Sequence, residues 1–329
     1  MNSQPIELIL HQLSFLNPED LNSICKSNSN LKRVCQEHKK KLCTNLLINY
    51  YKFKNFQSDN PCKLLEIILN HYPDILDKDL FTYNLSLSAE NGHLDIAKFL
   101  VERGANIHAY NEQALLISVN SGHLNMVKFL VESGADNLNY ALTSSAENGN
   151  LDMIEYFISK GANITDQLLI LAAANGHLSI VKWCLEKGIN IHTNNDAALK
   201  YSAFNGHLSI VKFLVENGAD IHVDQDYALK QSVIEGHLST VKFLIEHGTD
   251  IKRYSNHLLI EAAKRGHLDI VKLCLVYGAD IHYDDDIILT VTKNRKIIEY
   301  ILQQQVKKDP EPVKESSSFK HFMKKIWKK

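Results

Sequence analysis

The sequence has almost no excess charge of either sign, because 36 lysines and arginines face 38 acidic residues and the formal net charge is -2. Proteins that bind nucleic acids generally present a basic face, so nucleic acid is not expected as a partner. Long apolar runs are also missing, and the sequence predicts neither a membrane-spanning helix nor a secretory signal.

The six cysteines lack the spacing of a disulfide framework or a metal site. Cys184 and Cys274 occupy a position where leucine otherwise recurs, so we expect buried thiols and a reduced, cytoplasmic setting. Patterns typical of a catalytic nucleophile, a phosphate loop or a catalytic acid pair are absent as well. We therefore predict a protein that is not an enzyme and that needs no cofactor or metal.

Glycine is confined to two regularly spaced series, and this regularity is the strongest signal in the sequence. The first series is Gly92, Gly122, Gly149, Gly176, Gly206, Gly236 and Gly266. The second follows it by twelve residues, at Gly104, Gly134, Gly161, Gly188, Gly218, Gly248 and Gly278. Successive units are 30, 27, 27, 30, 30 and 30 residues apart. Such a period predicts an array of repeats that pack on their neighbours, with function on an exposed surface.

Each glycine of the first series lies between two helical patterns. Leucine recurs seven residues before it and a small residue four before it, whereas apolar residues recur four, five, eight and nine residues after it. Lys98 and Glu102 represent a recurring charged pair on the remaining, solvated face of the second helix. The glycines should end helices in the left-handed conformation. The predicted fold class is all-α, a solenoid of helix–turn–helix units.

The pattern resembles the ankyrin repeat, as shown by Gly206–Leu214 and Gly218–His222, which follow its G-H-L-x-I-V-K-F-L and G-A-D-I-H runs. The resemblance implies a protein-binding array at 84–282, after a linker and degenerate first repeat at 54–83 and before a capping repeat at 283–305. The T-P-L-H start of the usual 33-residue unit is missing, so the inter-repeat fingers should be short loops. Gln303, Gln304 and Gln305 fit the polar outer face of the capping repeat.

The chain has 31 lysines and only five arginines, which indicates an AT-rich genome. Together with the shortened units, this bias resembles the ankyrin-repeat proteins of giant DNA viruses of amoebae. The resemblance implies a viral protein in the cytoplasm of an infected host cell.

The histidines that follow the first-series glycines are too far apart on stacked repeats to share a metal ion, so we predict hydrogen bonds across turns. The varied polar loops between repeats are the predicted partner-binding surface. Its candidate residues are Tyr110, Tyr140, Asn194, Asp224, Tyr227, Tyr254, Tyr283 and Asp285. The aspartates favour a basic partner. For Asn195 and Asp226, capping of the next helix is the preferred interpretation.

Residues 1–53 contain no glycine and no repeat. This segment resembles the F-box, which grips the Skp adaptor of cullin-type ubiquitin ligases. The resemblance implies adaptor contacts by Pro5, Ile6, Leu13, Leu16, Pro18 and Leu21. Gln4 stands where a leucine normally precedes the proline, and the later tryptophan of many F-boxes is missing. A helical cap on the array is the alternative.

The C-terminal tail, residues 306–329, begins as a polar linker. From Ser316 to Lys329, apolar residues alternate with lysines at helical spacing, typical of a basic amphipathic helix that binds an acidic membrane surface or a partner groove. A disordered tail is the alternative. The leading hypothesis is a substrate-recruiting adaptor of a ubiquitin ligase, and the second is a plain binding or sequestering protein.

Overall fold

The computed structural model describes residues 78–308, apart from the side chains of 78–80, 285 and 306–308. The F-box-like segment 1–53 with its six contact residues, most of the region 54–83 and the amphipathic tail 316–329 lie outside the described residues. Between residues 78 and 308 the regular elements are all helices, with no strand. The predicted all-α class, built from helix–turn–helix repeats, is confirmed.

The chain divides into two compact units, residues 1–164 and 165–329. In the N-terminal unit the described helices are α1 Lys78–Asn91, α2 Leu94–Glu102, α3 Ala109–Asn120, α4 Leu124–Glu132, α5 Leu138–Glu147 and α6 Leu151–Ser159. The first helices of successive repeats, α1, α3 and α5, pack side by side, and so do the second helices α2 and α4.

The C-terminal unit repeats this arrangement. Its described helices are α7 Gln167–Ala174, α8 Leu178–Glu186, α9 Thr193–Phe204, α10 Leu208–Glu216, α11 Val223–Glu235, α12 Leu238–Glu246, α13 Ile251–Arg265, α14 Leu268–Val276, α15 Tyr283–Val291 and α16 Arg295–Lys308. First helices again contact first helices, from α7 through α15, and second helices contact second helices.

The core of each repeat is built from the residues that the periodicity singles out. The leucines seven residues before the first-series glycines are all buried, as Leu115 and Leu229 illustrate. The small residues four before the same glycines, among them Ser118 and Ala262, are also buried, which lets neighbouring helices approach closely. On the second helices, Lys182 and Lys212 each lie over an aromatic ring of the next repeat, a contact that the sequence pattern did not predict.

The glycine turn between the two helices of a repeat is a Schellman motif. In the second repeat the amide of His123 donates to the carbonyl of Ser118 at 2.9 Å, and the amide of Gly122 donates to Val119 at 3.0 Å. Gly122 has a φ of 77°, a conformation that costs a residue with a side chain about 1–2 kcal/mol. All fourteen glycines have positive φ.

The histidine after this turn connects its repeat to the preceding one. His123 donates from Nε2 to the carbonyl of Glu90 at 3.0 Å, and His207, His237 and His267 make the same bond in the C-terminal unit. These bonds confirm the predicted role of the histidines. The imidazole also covers the earlier glycine, since a Cβ added to Gly92 would lie 2.8 Å from the His123 ring.

The last described helical pair of the C-terminal unit contacts the preceding repeat through different residues. Asn294 replaces the histidine and donates from Nδ2 to the carbonyl of Gly266 at 3.1 Å. Helix α16 continues to Lys308. Gln305 does not belong to the polar outer face predicted for it, because it is buried and donates to Asp286 at 2.9 Å.

Candidate functional surface

Four first helices begin with a left-handed turn of non-glycine residues. Residues with φ between 49° and 61° precede the regular part of α3, α9, α11 and α15. They are Tyr110–Glu112, Asn194–Asp196, Asp224–Asp226 and, in α15, Asp284 and Asp286. Asparagine and aspartate tolerate this conformation better than other residues with side chains, whereas tyrosine, glutamine and glutamate do not. In these four repeats the short inter-repeat connection takes the form of a left-handed turn, a conformation that the sequence pattern did not predict.

A histidine–carboxylate pair spans each left-handed turn. Nδ1 of the histidine that precedes the turn lies 2.7–3.0 Å from a carboxylate oxygen four residues later. The pairs are His108 with Glu112, His192 with Asp196, His222 with Asp226 and His282 with Asp286. Asp226 therefore bonds to His222 rather than capping a helix, and Asn195 donates to Asp224 at 2.8 Å instead. The N-cap interpretation was wrong for both residues.

In α3 and α9, the carboxylate that ends the turn also accepts hydrogen bonds from the next repeat. Both oxygens of Glu112 accept from the amide of Asp136, at 2.9 and 3.2 Å, and Oε2 accepts from the amide of Asn137 at 2.9 Å. Asp196 accepts from the amide of Asp220 at 3.1 Å. In α13, which has no left-handed turn, the neutral Asn256 stands at this position and accepts from the amide of Asp280 at 2.7 Å.

These contacts determine the ionisation of Glu112. Burial would by itself raise the pKa of its carboxyl group, but hydrogen bonds from the amides of Asp136 and Asn137 and from His108 outweigh burial, and the pKa is lowered. Glu112 is only 4% exposed. It is therefore a buried carboxylate that holds the turn and the start of the following repeat together.

A surface recess of about 710 Å³ opens beside this carboxylate in the N-terminal unit. We call it the tyrosine recess, and its lining residues are His108, Tyr110, Asn111, Glu112, Leu116, Asp136, Asn137 and Tyr140. Tyr110 is 75% exposed and Tyr140 is 59% exposed. Two of the predicted partner-binding tyrosines thus share one recess. Leu116 and Asp136, which sequence reasoning missed, complete it.

The tyrosine recess contains three groups of the kind that bind metals. Donor atoms of His108, Glu112 and Asp136 all lie within 4.8 Å of one another. However, the oxygens of Glu112 already accept hydrogen bonds from two backbone amides and from His108. A metal would have to replace or crowd these bonds, so the donor set is a poor match for a metal site.

In the C-terminal unit the predicted surface residues are engaged by their own chain. Asp224 accepts from Nζ of Lys200 at 2.7 Å and from Asn195, and the hydrogen bond from Lys200 lowers the pKa of its carboxyl group. The ammonium of Lys200 also lies 5.9 Å from the ring centroid of Tyr227, which is half-buried. Asn194, in contrast, is exposed and lines a recess of about 360 Å³ together with Tyr201.

The remaining predicted residues lie farther along this unit. Tyr254 is half-buried beneath Lys230, whose Nζ lies 4.1 Å from the ring centroid, and its hydroxyl has no hydrogen-bond partner. Tyr283 is 45% exposed at the start of α15. The side chain of Asp285 is outside the described part of the chain. The structure therefore brings Tyr110 and Tyr140 together but separates Tyr254 and Tyr283 from them along the chain.

The two described cysteines are buried, as predicted for core thiols. Burial raises the pKa of Cys184 and of Cys274 to about 12, so both thiols remain protonated and unreactive at neutral pH. In the span from 78 to 308, no helix combines the length and apolar character needed to cross a membrane.

Comparisons with known proteins agree with this architecture. The family described as "Ankyrin repeats (3 copies)" matches residues 54–140, 142–225 and 222–285, which is well over half of the chain. A search of curated proteins found no match. The matched residues contain the glycine turns, the histidine contacts and the tyrosine recess described above, and the chain belongs to the ankyrin-repeat family.

Proposed function

We propose that this chain is a non-catalytic binding protein that holds a protein target on its inter-repeat turns, chiefly at the tyrosine recess. The observation that supports this function is the exposure of Tyr110 and Tyr140 over a single recess on packed helical pairs. Tyrosine supplies contact area with few rotatable bonds and is enriched at binding hot spots. Ankyrin repeats are protein-interaction modules, which agrees with this reading of the surface.

Replacing both tyrosines tests the surface directly. Truncation of two hot-spot residues should weaken target binding about tenfold or more, so Tyr110→Ala with Tyr140→Ala should lose captured target in affinity purification from host-cell extract. Tyr83→Ala is the matched control, because Tyr83 is 51% exposed, does not line the recess and is not a candidate partner residue. Equal loss in the control, or no loss in the double variant, would contradict the proposal.

We further propose that residues 1–53 dock the bound target to a cullin-type ubiquitin ligase through its Skp adaptor. The support is the F-box resemblance of Pro5, Leu13, Leu16 and Pro18. In this arrangement, 84–282 binds the target and 283–305 caps the array. Residues 316–329 form a basic amphipathic helix that binds an acidic membrane surface or a partner groove. The two described cysteines, Cys184 and Cys274, are buried and unpaired, which agrees with a cytoplasmic site of action.

Affinity purification of the full chain, with and without residues 1–53, tests the docking step. A Skp or cullin subunit should co-purify only when those residues are present, and Leu13→Asp with Leu16→Asp should abolish it. The same double variant should retain the target captured by the repeats, which shows that the array is still folded. Absence of any Skp or cullin subunit with the full chain would refute the docking step.

A second candidate function is sequestration of the target without a ligase, with residues 1–53 acting as a cap. The match to the ankyrin family begins at residue 54, so residues 1–53 directly precede the first matched repeat, the position that a cap requires. Deletion of residues 1–53 distinguishes the two functions: a cap would be needed for the thermal stability of the repeats, whereas a docking segment would not.

A further inference from the structure

In the C-terminal unit, a lysine of one repeat covers a tyrosine of the next. Lys200 lies six residues before Gly206, and Tyr227 lies nine before Gly236. The ammonium is 5.9 Å from the ring centroid, and the lysine side chain is only 16% exposed. An ammonium over an aromatic face is attracted by the negative charge of the ring face. The position six residues before the first-series glycine therefore supplies a cation from within the chain.

The following repeat places a lysine from the same position over a tyrosine that lies twelve rather than nine residues before its own first-series glycine. Lys230 lies six residues before Gly236, and its Nζ is 4.1 Å from the ring centroid of Tyr254. In two successive repeats of this unit, a lysine from the preceding first helix thus lies over the ring of a tyrosine.

The N-terminal unit has the tyrosine without the lysine. Tyr140 lies nine residues before Gly149, the position of Tyr227, but the residue six before Gly122 is Leu116. Leu116 lines the tyrosine recess in place of a cation, and Tyr140 is 59% exposed. Tyr110, on the same recess, is 75% exposed.

The Asp136 carboxylate on the recess lacks the turn that holds the equivalent carboxylates of two other repeats. Asp220 and Asp280 accept hydrogen bonds from the amides of the histidines two residues later. Asp136 has Leu138 at that place, and the Leu138 amide donates to the Asp136 backbone carbonyl at 2.7 Å. This leaves the Asp136 carboxylate outside such a turn and on the recess wall with Glu112, and neither lysine nor arginine lines the recess.

We propose that the tyrosine recess receives a basic side chain of the protein target, arginine in preference to lysine. A guanidinium can lie on the faces of Tyr110 and Tyr140 and form paired hydrogen bonds with the Asp136 carboxylate. This inference rests on the proposed function and specifies the chemistry of its partner: the target provides the cation that Lys200 and Lys230 provide within the chain.

The probe is N-acetylarginine methylamide, with the uncharged isostere N-acetylcitrulline methylamide as its control. The full chain is labelled with 3-fluorotyrosine, and the resonances of Tyr110 and Tyr140 are assigned from their phenylalanine variants. The arginine probe should shift both resonances in a saturable way and bind about three- to tenfold more tightly than citrulline. Equal responses to the two probes would overturn the inference.

Leu116→Lys supplies the missing internal cation. The new ammonium should cover the ring of Tyr140 and repel the positive charge of the arginine probe. Leu116→Lys should therefore weaken binding of the probe about three- to tenfold. Ser159→Lys is the matched control, because it adds the same charge to an exposed position on α6 and should leave binding unchanged. Asp136→Asn, an isosteric exposed substitution that keeps the fold, should also weaken the probe. Unchanged binding in both Leu116→Lys and Asp136→Asn would overturn the inference.

Two further measurements separate the inference from its alternatives. Zinc chloride alone should not shift the two tyrosine resonances; shifts with zinc and none with arginine would identify a metal site and overturn the inference. Capture of target by wild type and by Leu116→Lys in equal amounts would reject the basic-side-chain contact but leave the proposed function standing. Absence of a target with wild type, beside a positive arginine titration, would reject the proposed function alone.

Discussion

Helices α11 and α13 begin repeats of the same 30-residue spacing by different backbone paths. Before the regular part of α11, residues Asp224–Asp226 form a left-handed turn. At the same place α13 is right-handed from Ile251 onward, and Asp250 caps it by accepting from the amide of Lys252 at 3.0 Å. Repeat length therefore does not decide which path the chain takes.

What differs is the histidine–carboxylate pair. His222 and Asp226 bracket the left-handed turn, whereas Lys252 and Asn256 stand at those positions in α13. The left-handed residues cost free energy, so surrounding contacts must hold them. The comparison teaches that the histidine–carboxylate pair holds this turn where it occurs.

The largest expected effect comes from removing a carboxylate that holds the turn. Glu112→Ala leaves the amides of Asp136 and Asn137 without their acceptor, which should cost about 3 kcal/mol in local opening free energy. Hydrogen exchange at these two amides measures the loss. Asn256→Ala is the counterpart in α13 and should cost about 1 kcal/mol, because it removes one bond to a neutral acceptor. Equal losses of protection in the two variants would contradict the distinction between a charged and a neutral acceptor.

A glycine substitution should have opposite signs in the two helices. Gln225 has a φ of 60°, so Gln225→Gly removes left-handed strain and should stabilise the chain by about 0.5–1 kcal/mol. Ser255 occupies the equivalent position in the right-handed α13, and Ser255→Gly should destabilise by about 1 kcal/mol. Urea denaturation followed by circular dichroism gives both values. Changes of the same sign would show that the two paths are not differently strained.

The smallest expected effect is on pH dependence. Because the pKa of Glu112 is lowered by its hydrogen bonds, its stabilising contribution is complete above the ordinary carboxyl pKa and is lost as pH falls through its own lower value. Protection of the Asp136 amide, corrected for intrinsic exchange, should therefore fall in acid. In Glu112→Gln, protection of the Asp136 amide should be lower at neutral pH and should not change with pH. The Asp280 amide, bonded to neutral Asn256, provides the internal reference.

The helices and their core were predictable because they depend on periodicity. Leucines such as Leu115 recur at helical spacing, and the buried positions follow from that spacing alone. The histidine contacts were also predictable in kind, since stacked turns bring His123 to the preceding repeat. The contact of the imidazole with the glycine of the preceding repeat was not predicted, because sequence spacing gives no distance between neighbouring repeats.

The left-handed turns and the tyrosine recess were harder to predict. Tyr110 and Gln225 have little intrinsic preference for positive φ, so local propensity favours other conformations. The available signal was the histidine and acid four residues apart, which marks all four turns. The recess depends on Leu116, which occupies a position that holds lysine in two other repeats, and the contact of Lys200 with Tyr227 was needed to show what that lysine does.

The imidazole resting on the glycine of the preceding repeat bears on how such a chain can change its length. His207, His237 and His267 make the same bond at three successive junctions, so a copy added or lost between two of them would recreate a junction already in use. Recombination between tandem copies could then alter the number of binding surfaces in one genetic event, without selecting a new interface.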